Sequence, residues 1–274
     1  MIIQTVGSEF NLNGVDPNEF PNLDLEETKN PIILNPVVFK SIVNQTAFAS
    51  SNEESKLVLT GINFNIVGDI LECNSTDSYR LARKIVKLDR ESEENYNIVI
   101  PSKNIVEFSK ILGDDEDTVE LHIFNNKILF KNNNLKFESR LISGTYPNTA
   151  NLLPDDSLLV ISTKLNDFYD VIDRVSILTS DKEKNIVTLE TTDEYLILRS
   201  SSAEIGRVEE KMPITKNNDE NIKISFSAKY MMEALRSFST ETVDIHFVGE
   251  IKPILIKSSE DTSLTQLVLP IRTY

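Results

Sequence analysis

One cysteine, two histidines and no tryptophan leave this 274-residue chain with little of the chemistry that usually announces a function. Cys73 alone cannot close an intrachain disulfide, and with only His122 and His246 beside it the sequence offers no set of soft or imidazole ligands for structural zinc. The eight glycines are scattered, and neither G-x-G-x-x-G nor G-x-x-x-x-G-K-[ST] occurs, so nucleotide hydrolysis has no support. No apolar run approaches the roughly 18 residues that span a bilayer, and Met1 to Phe10 lack a basic start followed by an apolar stretch. These absences predict a cytoplasmic protein without membrane contact. Basic charge is also in deficit: 28 Lys and Arg against 43 Asp and Glu give −15. The averaged field repels phosphate, so any nucleic-acid contact must come from a locally basic surface.

What is present is the composition of a folded chain, 40% hydrophobic and 26% charged, with length enough for two cores. β-rich runs cover Leu57 to Ile66, Ile70 to Asn74, Asn97 to Ile100, Thr118 to Phe124, Lys127 to Phe130 and Lys136 to Ile142. Helical spacing marks Pro36 to Ala49, Ser102 to Leu112, Thr163 to Leu178 and Ser227 to Phe238. Asn35 to Val43 and Ser162 to Val171 lie about 127 positions apart, Ile100 to Leu112 and Phe226 to Phe238 about 126, which makes the chain an internal repeat. Inside a copy the helices step by about 65 residues, a nested repeat. This organisation predicts two α+β domains over 30–153 and 154–274, divided near Leu153-Pro154-Asp155-Asp156. Residues 1–29 are too short for a domain: Glu9 to Asn13 alternates like a strand, and Pro17 to Lys29 reads as a polar connector, so the segment is expected to close something that begins earlier.

The helices carry polar stripes. Lys103, Glu107 and Lys110 share one face at i, i+4, i+7, and Lys229, Glu233 and Arg236 repeat that spacing. The first helix bears Lys40 without an acid; the third has Lys164 and Arg174 but also Asp167, Asp170 and Asp173. A surface helix shows charge to water in any protein; repeated basic stripes also suit weak, salt-dependent phosphate contacts blind to sequence.

Catalysis finds no constellation. His122 and His246 sit in strand-like runs and read as satisfied sheet residues, and no G-x-S-x-G elbow occurs. Asp114-Asp115-Glu116-Asp117 follows a helix end without the spacing of a calcium loop and reads as a solvated turn. The chain is expected to be no enzyme and to need no cofactor.

Specific strings carry a resemblance. Leu59-Thr60-Gly61-Ile62-Asn63-Phe64, Thr76-Asp77-Ser78-Tyr79-Arg80-Leu81-Ala82 and Ile100-Pro101-Ser102-Lys103 resemble the middle domain of the bacterial replicative sliding clamp, the DNA polymerase III beta subunit. The likeness continues through Ser139-Arg140-Leu141, Tyr146-Pro147 and Phe226-Ser227-Ala228-Lys229-Tyr230, and closes on Leu267-Val268-Leu269-Pro270-Ile271-Arg272-Thr273-Tyr274. It implies an α+β fold of tandem clamp-type domains, each a nested repeat of two helices packed on antiparallel sheets. Family members have three such domains and close head to tail as a homodimer ring with helices inside. Glu9-Phe10 and Glu19-Phe20-Pro21-Asn22-Leu23-Asp24 resemble the close of the first domain, so the chain reads as a truncated form holding the last two. Ile177 and Leu178 match the subunit interface, where they would meet the first domain of a partner; the chain alone is therefore not expected to close an ordinary dimer.

The resemblance also implies a groove between the domains for short peptides carrying glutamine, then leucine, then an aromatic or leucine. Leu59, Leu81, Leu152, Leu267, Leu269 and Ile271 would form its walls, with Thr76, Ser78, Tyr79, Arg80, Pro147, Tyr230, Val268, Pro270 and Arg272 around or beneath the mouth. Asn151 stands where relatives commonly carry a basic residue and is expected to weaken a polar contact. DNA-facing positions would be Lys40, Lys103, Lys110, Lys164, Arg174, Lys229 and Arg236. The implied partners are duplex DNA, held topologically, the polymerase III alpha subunit, the clamp loader and other proteins with the peptide motif. The rival expectation is an interaction module that binds those peptides without encircling DNA.

Overall fold

A computed structural model describes residues 1–19, 25–113, 118–154, 156–179 and 185–272. The first copy runs strand Ile32–Leu34, helix α1 (Pro36–Thr46), strands Gly61–Val67, Ile70–Thr76, Arg80–Lys87 and Tyr96–Pro101, helix α2 (Ser102–Ile111), then strands Val119–Ile123, Lys127–Asn132 and Leu135–Arg140. The second repeats it: Leu159–Lys164, α3 (Leu165–Ser176), Ile186–Thr191, Tyr195–Ser202, Gly206–Pro213 and Lys223–Ser227, α4 (Ala228–Arg236), then Thr242–Phe247, Ile254–Lys257 and Leu264–Val268. The two-residue strand Thr215–Lys216 in the second copy and the 3-10 turns Ala47–Ala49 and Glu54–Thr60 in the first have no counterpart among the described residues of the other copy.

Each copy buries one core between its helices and sheets. Phe39 of α1, Phe108 of α2 and Phe130 are fully buried and meet edge to face or stacked at 4.8–5.6 Å between ring centroids. In the second copy Phe168, Ile172 and Val175 of α3 pack with Met231 and Leu235 of α4. Capping fixes the helix starts: Asn35 accepts the Val37 N–H at 2.8 Å ahead of Pro36 at the first helical position, and Ser227 accepts from the Tyr230 N–H. Gly61, where α1's connection enters the sheet, sits so close to the neighbouring strand that a Cβ would meet Val99 Cγ1 at 2.6 Å and the Ile100 carbonyl at 2.7 Å.

The two copies are joined through backbone. Strand Leu264–Val268 pairs antiparallel with Arg80–Lys87, Leu267 opposite Leu81, so one sheet of each copy fuses into a nine-stranded sheet. Helices form a row in the order α2, α1, α4, α3: α1 packs on α2 and α3 on α4, and Gln45 of α1 donates to the carbonyl of Ser237 at the end of α4. Gln266 Nε2 donates to the Gln45 carbonyl and to Ser237 Oγ, both at 2.9 Å, in a buried polar node.

Ile2–Thr5 and Ser8–Asn11 form a separate antiparallel hairpin with every residue exposed. Two expectations need correction. Leu57 to Thr60 is not strand but the end of a 3-10 turn over Glu54–Thr60, closed by the Thr60 hydroxyl donating to the Leu57 carbonyl at 2.7 Å. Arg80–Lys87, absent from the expected strands, is the central one at the joint. The expected turn at 114–117, Asp155, Phe20 to Asp24, Thr273 and Tyr274 lie outside the described residues.

Candidate functional site at the domain joint

Where the two copies meet, Leu81, Leu255 and Leu267 form a small buried cluster capped by Leu153. Above it opens a cavity of about 570 Å³ lined by Tyr79, Asn185, Ser227, Lys229, Tyr230, Leu269, Pro270 and Ile271. Its far wall is the segment after the last strand, pinned to both copies: the Leu269 N–H donates to the Tyr79 carbonyl at 2.9 Å and the Ile271 N–H to the Ser225 carbonyl at 2.7 Å. Those two bonds hold a stretch that would otherwise fray, and they turn its apolar side chains toward two tyrosines. The Tyr79 and Tyr230 rings stack with centroids 6.5 Å apart, and Lys56 Nζ lies 5.9 Å above the Tyr79 ring.

Tyr79 reaches the cavity from a tight turn. Ser78 takes φ +82, and Asp77 Oδ1 accepts from the N–H groups of Tyr79 and Arg80 at 2.9 and 3.1 Å. Tyr230 is held from below by Arg80, whose guanidinium lies 4.5 Å from the ring centroid and 5.3 Å from that of Phe48. Arg80 is 9% exposed, ion-paired with Asp77 at 3.0 Å and with Glu233 of α4, and donates to the Phe48 carbonyl at 2.6 Å. Burial, then the Asp77 charge, pushes the Tyr230 phenol up, so the groove wall stays neutral. The Thr76 hydroxyl donates to the Arg80 carbonyl and accepts the Ser78 N–H at 3.2 Å, and the Thr76 N–H goes to the Tyr146 hydroxyl at 3.0 Å.

Of the sixteen expected groove residues, then, Tyr79, Tyr230, Leu269, Pro270 and Ile271 line the cavity. Leu81 and Leu267, 1% and 3% exposed, belong to the buried cluster at the joint, and Val268 to the second core; none of the three is among the cavity's lining residues. Arg80, Thr76 and Ser78 shape the wall from behind. Leu59, Pro147, Asn151, Leu152 and Arg272 do not line the cavity; Leu152 is exposed on a short 3-10 turn over Ala150–Leu152. Sequence reasoning missed Asn185 and Ser227 as lining residues and assigned Lys229 to the DNA face. A serine N-cap followed by Lys-Tyr was the available signal for the last two; Asn185 had none.

Larger cavities are lined by residues within 47–107 (about 930 Å³), 179–209 (about 830 Å³) and 162–242 (about 680 Å³), and charged and hydroxyl side chains make up most of the lining of the last two. The joint cavity alone among these combines an aromatic pair with a continuous apolar strip, the profile of a peptide or ligand site.

On the helix row, Lys103, Lys110, Lys164, Arg174 and Arg236 are exposed and Lys40 half-buried. Their charges are unequally free. Arg174 forks onto Glu210 at 2.8 and 2.9 Å and Lys110 pairs with Glu107 at 2.7 Å, while Arg236 rests over the Tyr169 ring at 5.1 Å. Glu233 faces Arg80, which removes an acid from the α4 stripe. Ile177, 71% exposed, and Leu178 close α3 beside the sheet whose free edge is Gly206–Pro213.

Glu27, Glu120 and His122 bring ligand-type atoms within 4.8 Å of one another, a grouping the sequence did not suggest. Lys131 and Lys136 already neutralise Glu27 at 2.8 Å each. His122 Nδ1 accepts the Thr28 N–H at 2.9 Å, which assigns the proton to Nε2 facing Glu120 at 3.1 Å. The cluster ties the connector to the sheet.

Comparison with known proteins gives one answer along the chain. The family model for the DNA polymerase III beta subunit, central domain, matches residues 33–148, and that for the C-terminal domain matches 150–272. The chain is 41% identical over 273 residues to the beta sliding clamp of Staphylococcus epidermidis, covering 100% of itself and 72% of that protein. Among solved structures, the DNA polymerase sliding clamp from Bacillus subtilis superposes with a TM-score of 0.94 at 38% identity over 100% of this chain and 72% of that one. The DNA polymerase III beta chain of Streptococcus pneumoniae gives 0.93 at 33% identity, over 99% and 72%.

Proposed function

The chain belongs to the DNA polymerase III beta-subunit family, the bacterial DNA sliding clamps, and we propose that the cavity at its domain joint is the docking groove for the linear peptide motifs of its partners. The carrying observation is the convergence of Tyr79, Tyr230, Leu269, Pro270 and Ile271 on one cavity, from two copies locked together by a shared sheet and a buried polar node. A leucine or aromatic anchor fits such a wall.

Function then rests on tethering, not on bond chemistry. Helices α1–α4 present Lys40, Lys103, Lys110, Lys164 and Arg236 to duplex phosphates through a few screened contacts that permit sliding, while the groove holds the polymerase alpha subunit, the clamp loader or another motif-bearing protein. Confinement on DNA multiplies effective concentration, so a modest groove affinity suffices. No step calls for a catalytic group or a cofactor, and the setting is the cytoplasm. In this reading 30–153 and 154–274 are the two clamp domains, 1–29 closes a preceding one, and Ile177 and Leu178 face a second subunit beside the free edge Gly206–Pro213.

A fluorescent Gln-Leu-x-Leu-Phe peptide titrated into the protein tests the groove: saturable binding that is lost when Gln and Phe become Ala supports it, and equal binding of both peptides refutes it. Retention on closed circular duplex, with release on linearisation, separates a clamp from a module that binds the same peptides off DNA.

A further inference from the structure

The hairpin of Ile2–Thr5 and Ser8–Asn11 adds no residue to either buried core, and every residue of its strands is exposed. Its open end is closed by the Leu12 N–H donating to the Met1 carbonyl at 2.9 Å. The next fixed point is Asp16, which accepts the Asn18 N–H at Oδ1 and the Glu19 N–H at its carbonyl, both at 2.9 Å. Between the two, Asn13, Gly14 and Val15 are exposed and form no hydrogen bond among the described residues. This unbonded stretch holds the chain's one Asn-Gly pair.

Two features set Asn13 apart from other exposed asparagines. Asn35, Asn148, Asn217 and Asn218 each commit the side-chain oxygen to a backbone N–H, which holds the amide in place; Asn13 has no such partner. The residue after it carries no side chain, and a Cβ placed on Gly14 would meet nothing within 4 Å. The Gly14 nitrogen is therefore free to swing onto the Asn13 amide carbon.

We propose that Asn13-Gly14 is a self-modification site, at which Asn13 deamidates through a succinimide closed by the Gly14 backbone nitrogen. A base removes the Gly14 N–H proton and the nitrogen attacks Asn13 Cγ, so that a Cγ–N bond forms. The Cγ–Nδ2 bond then breaks, and the departing amide takes up a proton and leaves as ammonia. Water opens the ring: attack at Cγ gives aspartate, and attack at the main-chain carbonyl gives isoaspartate, whose backbone runs through the side chain. Either product adds a carboxylate, and isoaspartate also adds a methylene to the backbone between the hairpin and the connector.

The test ages the full chain at neutral and alkaline pH beside Asn13→Gln and Gly14→Ala. Each asparagine is read by peptide mass spectrometry with electron-transfer fragmentation, which tells isoaspartate from aspartate. The substituted side chains pack against nothing, so both variants keep the wild-type melting temperature. The expected result is that Asn13 converts before the other asparagines, to isoaspartate and aspartate together, at a rate that rises with pH. Ammonia appears in matching amount, and an acidic species grows in on anion exchange. Conversion at residue 13 is lost in Asn13→Gln and falls to the level of the other exposed asparagines in Gly14→Ala. An Asn13 that outlasts those asparagines, a product of aspartate alone, or a rate unchanged in Gly14→Ala overturns the proposal.

Discussion

Leu81 and Ile271 belong to one apolar surface at two depths, and truncating each has a different consequence. Leu81 is 1% exposed against Leu255 and Leu267, so Leu81→Ala opens a cavity at the joint and costs about 2–5 kcal/mol of stability. Ile271 lines the groove and is half-buried; Ile271→Ala leaves the melting temperature near wild type and costs roughly 1–2 kcal/mol of peptide affinity. Denaturant titration beside peptide titration checks both, and a Leu81→Ala protein of unchanged stability would refute the depth assignment. Legibility at this scale stopped at the side chain's immediate strand. The string from Thr76 to Ala82 pointed to the site, but nothing in it showed that Arg80 would be consumed by Glu233, 153 residues further on, and so act from behind the wall. Val268, read as lying around or beneath the mouth, is a core residue: the alternation of the strand Leu264–Val268 turns it into the second core beside Leu269 of the wall.

Elements with one clear period were legible. All four helices fall where apolar spacing placed them, to within a few residues. Arg80–Lys87 escaped because Arg83, Lys84 and Lys87 interrupt the apolar alternation; the structure shows Arg83 paired with Glu72 and Lys84 with Asp261, both at 2.9 Å, so a strand between two others tolerates the charges. The connector before the first copy was read only as polar, yet Glu27 fastens it. Hydrogen bonds from Lys131 and Lys136 hold the Glu27 carboxyl down at about 2. A lowered folded-state value stabilises docking above the usual carboxylate range and loses it as pH falls from about 4.5 toward 2. Glu27→Gln is therefore expected to increase amide exchange of residues 25–29 near neutrality, with the difference from wild type closing through that window. A difference independent of pH would contradict the ion-pair origin.

At the scale of the molecule, the 126-residue repeat revealed two copies but not how they meet. Repeats report what each unit shares, whereas the joint depends on what differs: Leu264–Val268 of one copy pairs with Arg80–Lys87 of the other, and Gln266, Gln45 and Ser237 form a node that has no sequence signature. A sheet continuous through the joint predicts one cooperative thermal transition. Gln266→Leu leaves the buried Gln45 carbonyl without its Gln266 donor, at a cost of about 1–3 kcal/mol, and lowers that transition in calorimetry. Two well-separated transitions in the wild-type protein would show that the copies are independent. This rigidity matters for function, because Tyr79 comes from one copy and Tyr230, Leu269 and Ile271 from the other; the groove exists only while the joint is closed.

The most direct measurement is hydrogen exchange by mass spectrometry on the protein with and without a saturating Gln-Leu-x-Leu-Phe peptide. Docking in the groove predicts new protection at 77–80, 227–231 and 269–271, from both sides of the joint, and none along Gly206–Pro213. Protection confined to that free edge, or to one copy alone, would contradict a groove built at the joint.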